Sequence, residues 1–243
     1  MATTSVLEAP KPRHIFARRF LELVIPPKIK QPAPNFHDTQ NLALFFYSEL
    51  SEISEILSDS LYLSGCGPVT TDNIESLGIT AVVCALSEAE ERRLMGDRVL
   101  PESVKKLYVR LIDTDSSDIA AHFDSSGQFI DEEIRAGGRV LVHCAAGISR
   151  SATLVLAYLM RYRDYDLRKA FNLVKSVRRV VRPNNGFFQN LIEYERSILG
   201  ADRAPSVRMV KQNEEETECE EVRLVPDVLL EHAKRMSDWR HLA

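Results

Sequence analysis

The sequence predicts an α/β fold with a mostly parallel central sheet flanked by helices. Short apolar segments alternate with amphipathic ones through the middle of the chain, which is typical of strands joined by helical crossovers. One apolar segment, residues 140–143, runs through a loop of small residues into a helical pattern that starts at Ser151. Because ligands of such sheets bind beyond the carboxyl ends of the strands, we expect the functional site at this loop.

The other elements follow from local patterns of apolar residues. Residues 57–63 are expected to form an edge strand, and Thr71 or Asp72 is expected to cap a short helix that ends at Gly78. Further strands are predicted near residues 79–84 and 107–111, and further helices at residues 88–95, 119–135, 151–163, 167–177 and 186–199.

Composition divides the 243 residues into three parts. Residues 1–52 hold six of the eleven prolines together with a basic segment, so we expect a flexible extension there. Residues 53–200 have the pattern of one compact domain of ordinary size. Residues 201–243 combine an acidic run with a short amphipathic helix. The acidic run is expected to be a solvated linker or a partner-binding segment, and the helix either packs on the domain or binds a partner.

Charge and hydropathy exclude several classes of protein. The net charge of −4 leaves no overall basic surface, so we expect no nucleic-acid partner. No apolar run approaches the roughly 20 residues that cross a bilayer, so no membrane span is predicted. The start of the chain lacks the basic and apolar segments of a secretory signal.

The four cysteines, Cys66, Cys84, Cys144 and Cys219, are widely spaced and form no Cys-x-x-Cys pair. We therefore expect neither a disulfide framework nor a zinc site, and we predict no metal and no cofactor. Such a chain suits a reducing, intracellular setting. The cytoplasm is the expected location, with the nucleus and the mitochondrion as alternatives.

The loop after residues 140–143 carries the clearest chemistry. Cys144 is followed by five residues and then by Arg150. Consecutive N–H groups at the positive end of a helix make an anion cradle, and a cysteine placed there is expected to be a thiolate nucleophile at neutral pH. The guanidinium of Arg150 matches two oxygens of a tetrahedral phosphate. The sequence therefore predicts phosphoryl transfer through a cysteinyl-phosphate.

Residues 143–151, His-Cys-Ala-Ala-Gly-Ile-Ser-Arg-Ser, resemble the Cys-x5-Arg signature of protein tyrosine phosphatases, and their exact form resembles the dual-specificity branch. The resemblance extends over residues 53–199 and includes Tyr62-Leu-Ser-Gly and Arg182-Pro-Asn-Asn-Gly-Phe. Because little lies outside this domain, the chain is most similar to the small, atypical dual-specificity protein phosphatases. The resemblance implies a protein tyrosine phosphatase-like fold of the dual-specificity type, with residues 53–200 as its catalytic domain.

The resemblance also implies roles for individual residues. Cys144 is the expected nucleophile, and Arg150 the residue that holds the phosphate and the transition state. Ser151 is expected to donate to the sulfur, to cap the following helix, or both. His143 is expected to support the loop by hydrogen bonding to its backbone. The expected phosphate loop consists of Ala145, Ala146, Gly147, Ile148, Ser149 and Arg150.

A phosphate ester also needs a proton for its departing oxygen. The resemblance places the family's acid at Asp113, after the strand near residues 107–111. Asp115 and Asp118 are close enough in the chain to compete for this role. Asn184 is expected to brace the loop from a neighbouring turn, and a simple turn is equally consistent with the sequence.

The expected substrates are phosphoproteins. Members of the resembled family that act only on phosphotyrosine have an additional loop with a tyrosine, which deepens their pocket. This sequence has no clear counterpart before Cys144. The resemblance therefore implies a shallow pocket that accepts phosphoserine, phosphothreonine and phosphotyrosine. Lysines typical of inositol-lipid phosphatases are absent from the loop, where Ala145, Ala146 and Ile148 stand instead. Two alternatives stay open: a phosphoprotein-binding module with little turnover, and a phosphatase that acts on a non-protein phosphate.

The N-terminal extension contains a basic and apolar segment at residues 11–25. In the first interpretation, this segment is a plain flexible tail. In the second, Arg18 and Arg19 followed by Leu21 and Leu23 resemble the motif by which partners bind mitogen-activated protein kinases. In the third, the segment is a mitochondrial targeting helix.

Overall fold

The structure is a computed structural model, and it describes residues 50–96, 98–200, 204–211 and 224–240. The N-terminal extension, with its basic segment, and the acidic run lie outside the described residues. No helix among the residues described is long and apolar enough to cross a membrane.

A five-stranded sheet forms the centre of the domain, in the order β1-β2-β5-β3-β4. Strands β2, β5, β3 and β4 are parallel to one another, and β1 pairs antiparallel with β2. This confirms the predicted α/β class with a mostly parallel sheet. The strands are β1 Ser54–Leu57, β2 Leu61–Ser64, β3 Ala81–Cys84, β4 Lys105–Tyr108 and β5 Val140–His143.

Helices cover both faces of the sheet. In β5, Val140 and Val142 join the core formed with helices α3 to α6, whereas Leu141 faces a second core that includes Ile74 of α1 and Met95 of α2. The alternation follows from the two-residue period of a strand. The helices are α1 Thr71–Ser76, α2 Glu88–Met95, α3 Phe123–Arg135, α4 Arg150–Tyr162, α5 Leu167–Val177 and α6 Asn185–Leu199, with a 3₁₀ turn at Ala120–His122 before α3.

The prediction of one edge strand over residues 57–63 is wrong. Two strands form a hairpin there, with Asp59 in the left-handed region at φ 53° and hydrogen-bonded through its carboxylate to Arg139 (2.8 Å). Strand β2 is therefore an inner strand, and β1 is at the edge. The fourth strand also ends earlier than predicted, and the cap of α1 is Thr70 rather than Thr71 or Asp72.

The segment after residue 203 packs against the domain. Residues Met209–Lys211 (β6) and Leu224–Pro226 (β7) form an antiparallel pair that the sequence did not predict, and helix α7 follows at Asp227–Arg240. Val228 is buried in the larger core, and Val225 is buried as well. Arg168 of α5 binds Asp227 (2.7 Å) and Glu231 (2.6 Å). Of the two alternatives for this helix, the structure shows the packed one.

Candidate active site

The carboxyl ends of three parallel strands meet at the predicted site. Ser64 of β2, His143 of β5 and Cys84 of β3 lie in one row of the sheet, and Cys144 comes directly after β5. Helix α4 begins at Arg150, and its residues are buried from Arg150 to Met160. The loop between β5 and α4 is thus held between a buried strand and a buried helix.

The carbonyl groups of this loop point outward. The carbonyl of Ala145 accepts from Cys66 N–H (3.1 Å), that of Ile148 from Arg182 N–H (2.9 Å), and that of Ser149 from Thr153 N–H (2.9 Å). The side chain of Arg178 donates to the two carbonyls between them, those of Ala146 (3.0 Å) and Gly147 (2.9 Å). Because each peptide carbonyl is occupied from outside, the N–H groups face the interior, where they can bind the oxygens of a phosphate.

Cys144 lies at the base of this loop, with 1% of its surface exposed. Its sulfur accepts hydrogen bonds from Gly147 N–H (3.2 Å) and from the hydroxyl of Ser151 (3.1 Å). Ser149, rather than Ser151, is at the cap position of α4, so the interpretation of Ser151 as the helix cap is wrong.

Gly147 is required by the close approach of the loop to β2. Its φ is +69°, and a Cβ on it would lie 2.5 Å from the carbonyl carbon of Ser64 and 2.6 Å from the nitrogen of Gly65. Any other residue would push the loop away from the sheet. Gly147 therefore lets the phosphate loop lie directly against the end of β2.

Arg150 is buried and paired. Its guanidinium makes a two-pronged ion pair with Glu90 of α2, at 2.6 and 2.9 Å, and it also donates to the carbonyl of Leu111 (3.2 Å). Burial works to raise the pKa of Glu90, but hydrogen bonds from Arg150 and Ser87 outweigh it and hold this pKa below its ordinary value. Glu90 therefore holds the guanidinium in one orientation at the loop.

Asp113 is held against the loop by two side chains. Its Oδ1 accepts from the hydroxyl of Ser149 (2.7 Å) and from the side-chain amide of Asn184 (2.9 Å). Its Oδ2 lies 3.6 Å from Nε of Arg150. Asn184 also accepts from Phe187 N–H through Oδ1, so one residue both caps α6 and orients the carboxylate.

The two competing carboxylates lie elsewhere. Asp118 accepts from Ala121 N–H (3.2 Å) at the start of the 3₁₀ turn. The side chain of Asp115 is exposed, while its backbone passes close to Gly186 of α6. Of the three carboxylates in this loop, Asp113 is the one that contacts the phosphate loop.

Three buried groups around the loop, His143, Cys66 and Cys84, are neutral at physiological pH. Burial lowers the pKa of His143 to about 4, so its imidazole carries no charge. Burial also raises the pKa of Cys66 to about 11 and that of Cys84 to about 12. These two thiols are therefore poor nucleophiles.

The structure brings together Cys144, Arg150, Ser151, Asp113, Ser149 and Asn184, with His143 behind the loop. Glu90 and Arg178 are functional residues that the sequence did not predict. Ser87 and Glu90 form a capping box that is visible in the sequence, but the pattern predicts only the start of a helix. Arg178 is fully buried, and only its contacts show that it supports the loop.

The arrangement suits nucleophilic displacement at phosphorus. The sulfur of Cys144 lies at the base of the phosphate loop, and the guanidinium of Arg150 is held beside that loop by Glu90. The carboxylate of Asp113 lies at the same loop, near Arg150. The amides and the guanidinium can stabilise the equatorial oxygens of a transferring phosphoryl group, and the carboxylate can exchange a proton with the departing oxygen.

Comparisons with known proteins agree with this chemistry. The family model described as "Dual specificity phosphatase, catalytic domain" matches residues 61–197. The chain is 38% identical over 165 residues to dual specificity protein phosphatase 14 of Bos taurus, which covers 67% of this chain and 77% of that protein. It is 32% identical over 192 residues to dual specificity protein phosphatase 18 of Bos taurus, covering 79% of this chain and 93% of that protein.

A solved structure shows the same fold. The human tyrosine phosphatase-like serine/threonine/tyrosine-interacting protein superposes with a TM-score of 0.58 at 32% identity, and the match covers 62% of this chain and 99% of that one. The match of the family model covers more than half of the chain and includes the phosphate loop, the segment that carries Asp113 and most of helix α6. The chain therefore belongs to the dual specificity phosphatase family.

Proposed function

We propose that Cys144, Arg150, Asp113 and Ser151 carry out the protein phosphatase reaction of the family in this chain. The observation that carries the proposal is the position of Asp113. Its carboxylate is held beside the phosphate loop by Ser149 and Asn184, with Cys144 at the base of the same loop. A module that only binds phosphate would have no use for a carboxylate placed there, since its charge would repel the ligand.

The reaction proceeds in two displacements at phosphorus. In the first, the thiolate of Cys144 forms a bond to phosphorus while the bond to the ester oxygen breaks, and Asp113 gives its proton to that oxygen. In the second, Asp113 takes a proton from a water that attacks the cysteinyl-phosphate, and the sulfur leaves as a thiolate. Ser151 stabilises that thiolate by its hydrogen bond.

The loop amides and Arg150 stabilise charge in both steps. Residues Ala145, Ala146, Gly147, Ile148 and Ser149 contribute amides to the phosphate, and the guanidinium binds two of its oxygens. His143 supports the start of the loop as a neutral, buried side chain, and Asn184 positions the acid. Apart from the attacking water, the groups named in these steps belong to the chain itself. Phosphotyrosine, phosphoserine and phosphothreonine in proteins are the substrates.

Hydrolysis of a small aryl phosphate and of phosphotyrosine and phosphothreonine peptides tests the assignment. Cys144→Ser is expected to abolish turnover, by roughly 10⁴-fold or more. Asp113→Ala is expected to lower kcat by roughly 10²-fold to 10³-fold. Asp115→Ala is the matched control, because its carboxylate is exposed two residues away, and it should stay within about twofold of wild type.

The outcomes separate the alternatives. Equal, negligible rates for wild type and all variants would reject the phosphatase function and favour the phosphoprotein-binding module. Loss of activity in Asp115→Ala but not in Asp113→Ala would move the acid role to Asp115. Turnover of a non-protein phosphate ester in clear preference to every phosphopeptide would reject the protein substrates.

The basic and apolar segment at residues 11–25 carries a separate proposal: that it docks a mitogen-activated protein kinase through Arg18, Arg19, Leu21 and Leu23. Kinase pull-down by the full chain should fall in the double variant Arg18→Ala/Arg19→Ala. An unchanged pull-down rejects docking and leaves the plain tail or the mitochondrial signal. Fluorescence imaging of the full chain then distinguishes the expected cytoplasmic location from the nuclear and mitochondrial alternatives.

A further inference from the structure

A cavity of about 180 Å³ lies between helix α2 and the sheet, on the face that carries Leu141. Tyr108 of β4, Cys84 of β3 and His143 of β5 are neighbours in register, and all three line this cavity. Side chains at one register position of parallel strands lie on one face of the sheet. Tyr108 is 45% exposed at the edge of the sheet, whereas His143 is buried. The cavity therefore extends inward from the edge strand to the imidazole.

The cavity is separate from the phosphate site. Cys144, the residue after His143, is packed in the larger core on the other face of the sheet. None of the phosphate-loop residues from Ala145 to Arg150 lines the cavity. A molecule bound in the cavity would lie behind the start of the loop and would leave the loop amides free for phosphate.

His143 is the polar group at the inner end of the cavity. Its Nδ1 is buried beside the main chain of Cys144, but it has no hydrogen-bond partner among the residues that the structure describes. The imidazole is neutral, because burial lowers the pKa of His143 to about 4. A buried polar atom without a partner costs free energy, which a hydrogen bond to a ligand recovers. A neutral imidazole has one donor and one acceptor nitrogen, and a hydroxyl group suits both because it donates and accepts.

Apolar side chains make up much of the cavity wall, and the volume suits one ring. Val82, Met95 and Leu100 supply apolar surface to the wall. An apolar protein cavity of roughly 150 Å³ holds one benzene molecule. At about 180 Å³, this cavity has room for an aromatic ring with one small substituent.

The charged side chains that line the cavity already have partners. Arg98 donates to the carbonyl of Cys66 at 2.7 Å. Glu91 pairs with Arg110 at 2.6 Å. Lys106 donates to a main-chain carbonyl at 3.3 Å, and its side chain is exposed to solvent. An ionic ligand would therefore lose water without gaining an opposite charge inside the described part of the wall, which is costly. The ligand that suits this cavity is neutral.

We propose that this cavity binds a small neutral phenol, that is, one aromatic ring with a hydroxyl group. The ring lies between α2 and the sheet, and the hydroxyl group forms a hydrogen bond with the imidazole of His143. The site is distinct from the phosphate loop, so the inference goes beyond the proposed phosphatase function and does not depend on it. Phenol itself is the smallest member of this class and serves as the probe.

NMR of the histidine side chains in the isotope-labelled full chain tests the site. Phenol is expected to shift the imidazole nitrogens of His143 in a saturable manner, and His143→Asn identifies these signals by removing them. Toluene is the matched probe, because it has nearly the same shape as phenol and lacks the hydroxyl group. Its affinity should be about fivefold lower than that of phenol, and it should leave the imidazole nitrogens nearly unshifted.

Two tryptophan variants locate the bound phenol. Leu100→Trp is expected to fill part of the cavity and to weaken phenol binding by roughly tenfold or more. Leu94→Trp is the matched control, because Leu94 is partly buried against the same core but does not line the cavity. This variant should bind phenol as wild type does. Excess inorganic phosphate, which occupies the phosphate loop, should not displace phenol.

Several outcomes would overturn the inference. These are the lack of a saturable shift in wild type, equal affinities for phenol and toluene, and displacement of phenol by inorganic phosphate. A loss of affinity in Leu94→Trp as large as in Leu100→Trp would place the phenol elsewhere and would overturn the inference as well. The titration of wild type decides the question even where a variant does not fold. No measurement requires turnover, so a failure of the proposed phosphatase function is distinguishable from a failure of this site.

Discussion

The substitution Gly186→Ala is expected to displace the loop that carries Asp113 and Asp115 without altering any charged or catalytic group. Gly186 is in the first turn of α6, directly against the backbone of Asp115. A Cβ on Gly186 would lie 1.9 Å from the carbonyl oxygen of Asp115, 2.6 Å from its carbonyl carbon and 2.7 Å from its Cα. The obstruction is backbone on both sides, so no side chain can rotate away to relieve it.

The size of the displacement sets the expected effect. Cβ atoms in proteins do not approach other heavy atoms within 3.0 Å, so the two segments must separate by at least 1.1 Å. Asp113 is two residues from Asp115 in the same loop, and its carboxylate is held by hydrogen bonds of 2.7 and 2.9 Å. A shift of about 1 Å in a reacting group costs on the order of 10²-fold in rate. We therefore expect the proton transfer to lose about that factor.

The assay compares phosphate esters that differ in whether the departing oxygen needs a proton. The phenolate of an acidic phenol departs readily without a proton, whereas the threonine oxygen of a phosphothreonine peptide requires one. Gly186→Ala should lower kcat about 10²-fold for the peptide and only a few-fold for the acidic phenol ester. Gly67→Ala is the matched control, since a Cβ there meets nothing nearer than 3.9 Å. Equal losses for both substrates, or no loss for either, would refute the reasoning, provided that thermal unfolding shows a folded variant.

Two further predictions concern the pairing and protonation of buried groups. Glu90→Gln removes the anion that orients Arg150, so kcat/KM should fall roughly tenfold to a hundredfold in aryl phosphate hydrolysis. Glu91→Gln breaks a partly exposed pair with Arg110 instead, and its kcat/KM should stay within about twofold of wild type. His143 is buried, and its pKa is lowered from 6.5 to about 4. Between pH 6.5 and pH 4 the imidazole therefore binds a proton more readily in the unfolded chain than in the folded one. The stability that neutral His143 contributes is therefore present above pH 6.5 and is lost as the pH falls towards 4, by roughly 3 kcal/mol. Urea unfolding of wild type and His143→Asn across this range should show a weaker pH dependence in the variant.

Each of these predictions has an outcome that contradicts it. Similar losses in Glu90→Gln and Glu91→Gln would show that orientation of Arg150 does not limit the rate. Parallel plots of unfolding free energy against pH for wild type and His143→Asn would show that His143 is not the buried group that titrates. His122→Asn, in a partly exposed position, is the control for the general effect of removing an imidazole.

Patterns within one element were sufficient to predict most of the fold. The predicted helix at residues 88–95 and the strand at residues 140–143 coincide with α2 and β5, because periodicity and end signals are local properties of the chain. The hairpin at residues 54–64 was not predicted, because its turn, Ser58-Asp59-Ser60, has none of the Asn-Gly or Asp-Gly pairs that mark a tight turn in a sequence. The β6–β7 pair was missed because its strands are three residues long and separated by the acidic run.

The residues of the phosphate loop were predictable because the loop is contiguous. Cys144, Arg150 and Ser151 lie within eight positions, and a strand before them and a helix after them suffice to form the cradle. Glu90 and Arg178 were not predictable, because their contacts with the loop span 60 and 31 residues and depend on which strands are neighbours. Glutamate and arginine side chains on a helix, or directly after a helix, ordinarily face solvent. Nothing in the local sequence shows that Glu90 and Arg178 pair with the phosphate loop.

The sequence alone determined the reaction class, since a cysteine, five small or apolar residues and an arginine between a strand and a helix define a phosphate-binding nucleophile by local geometry. The tertiary structure alone decided how that loop is held. It placed Glu90 on Arg150, Arg178 on the loop carbonyls, and Ser149 and Asn184 on Asp113. The physical reason is that a hydrogen bond acts over about 3 Å in space, and only folding brings residues so distant in the chain to that separation.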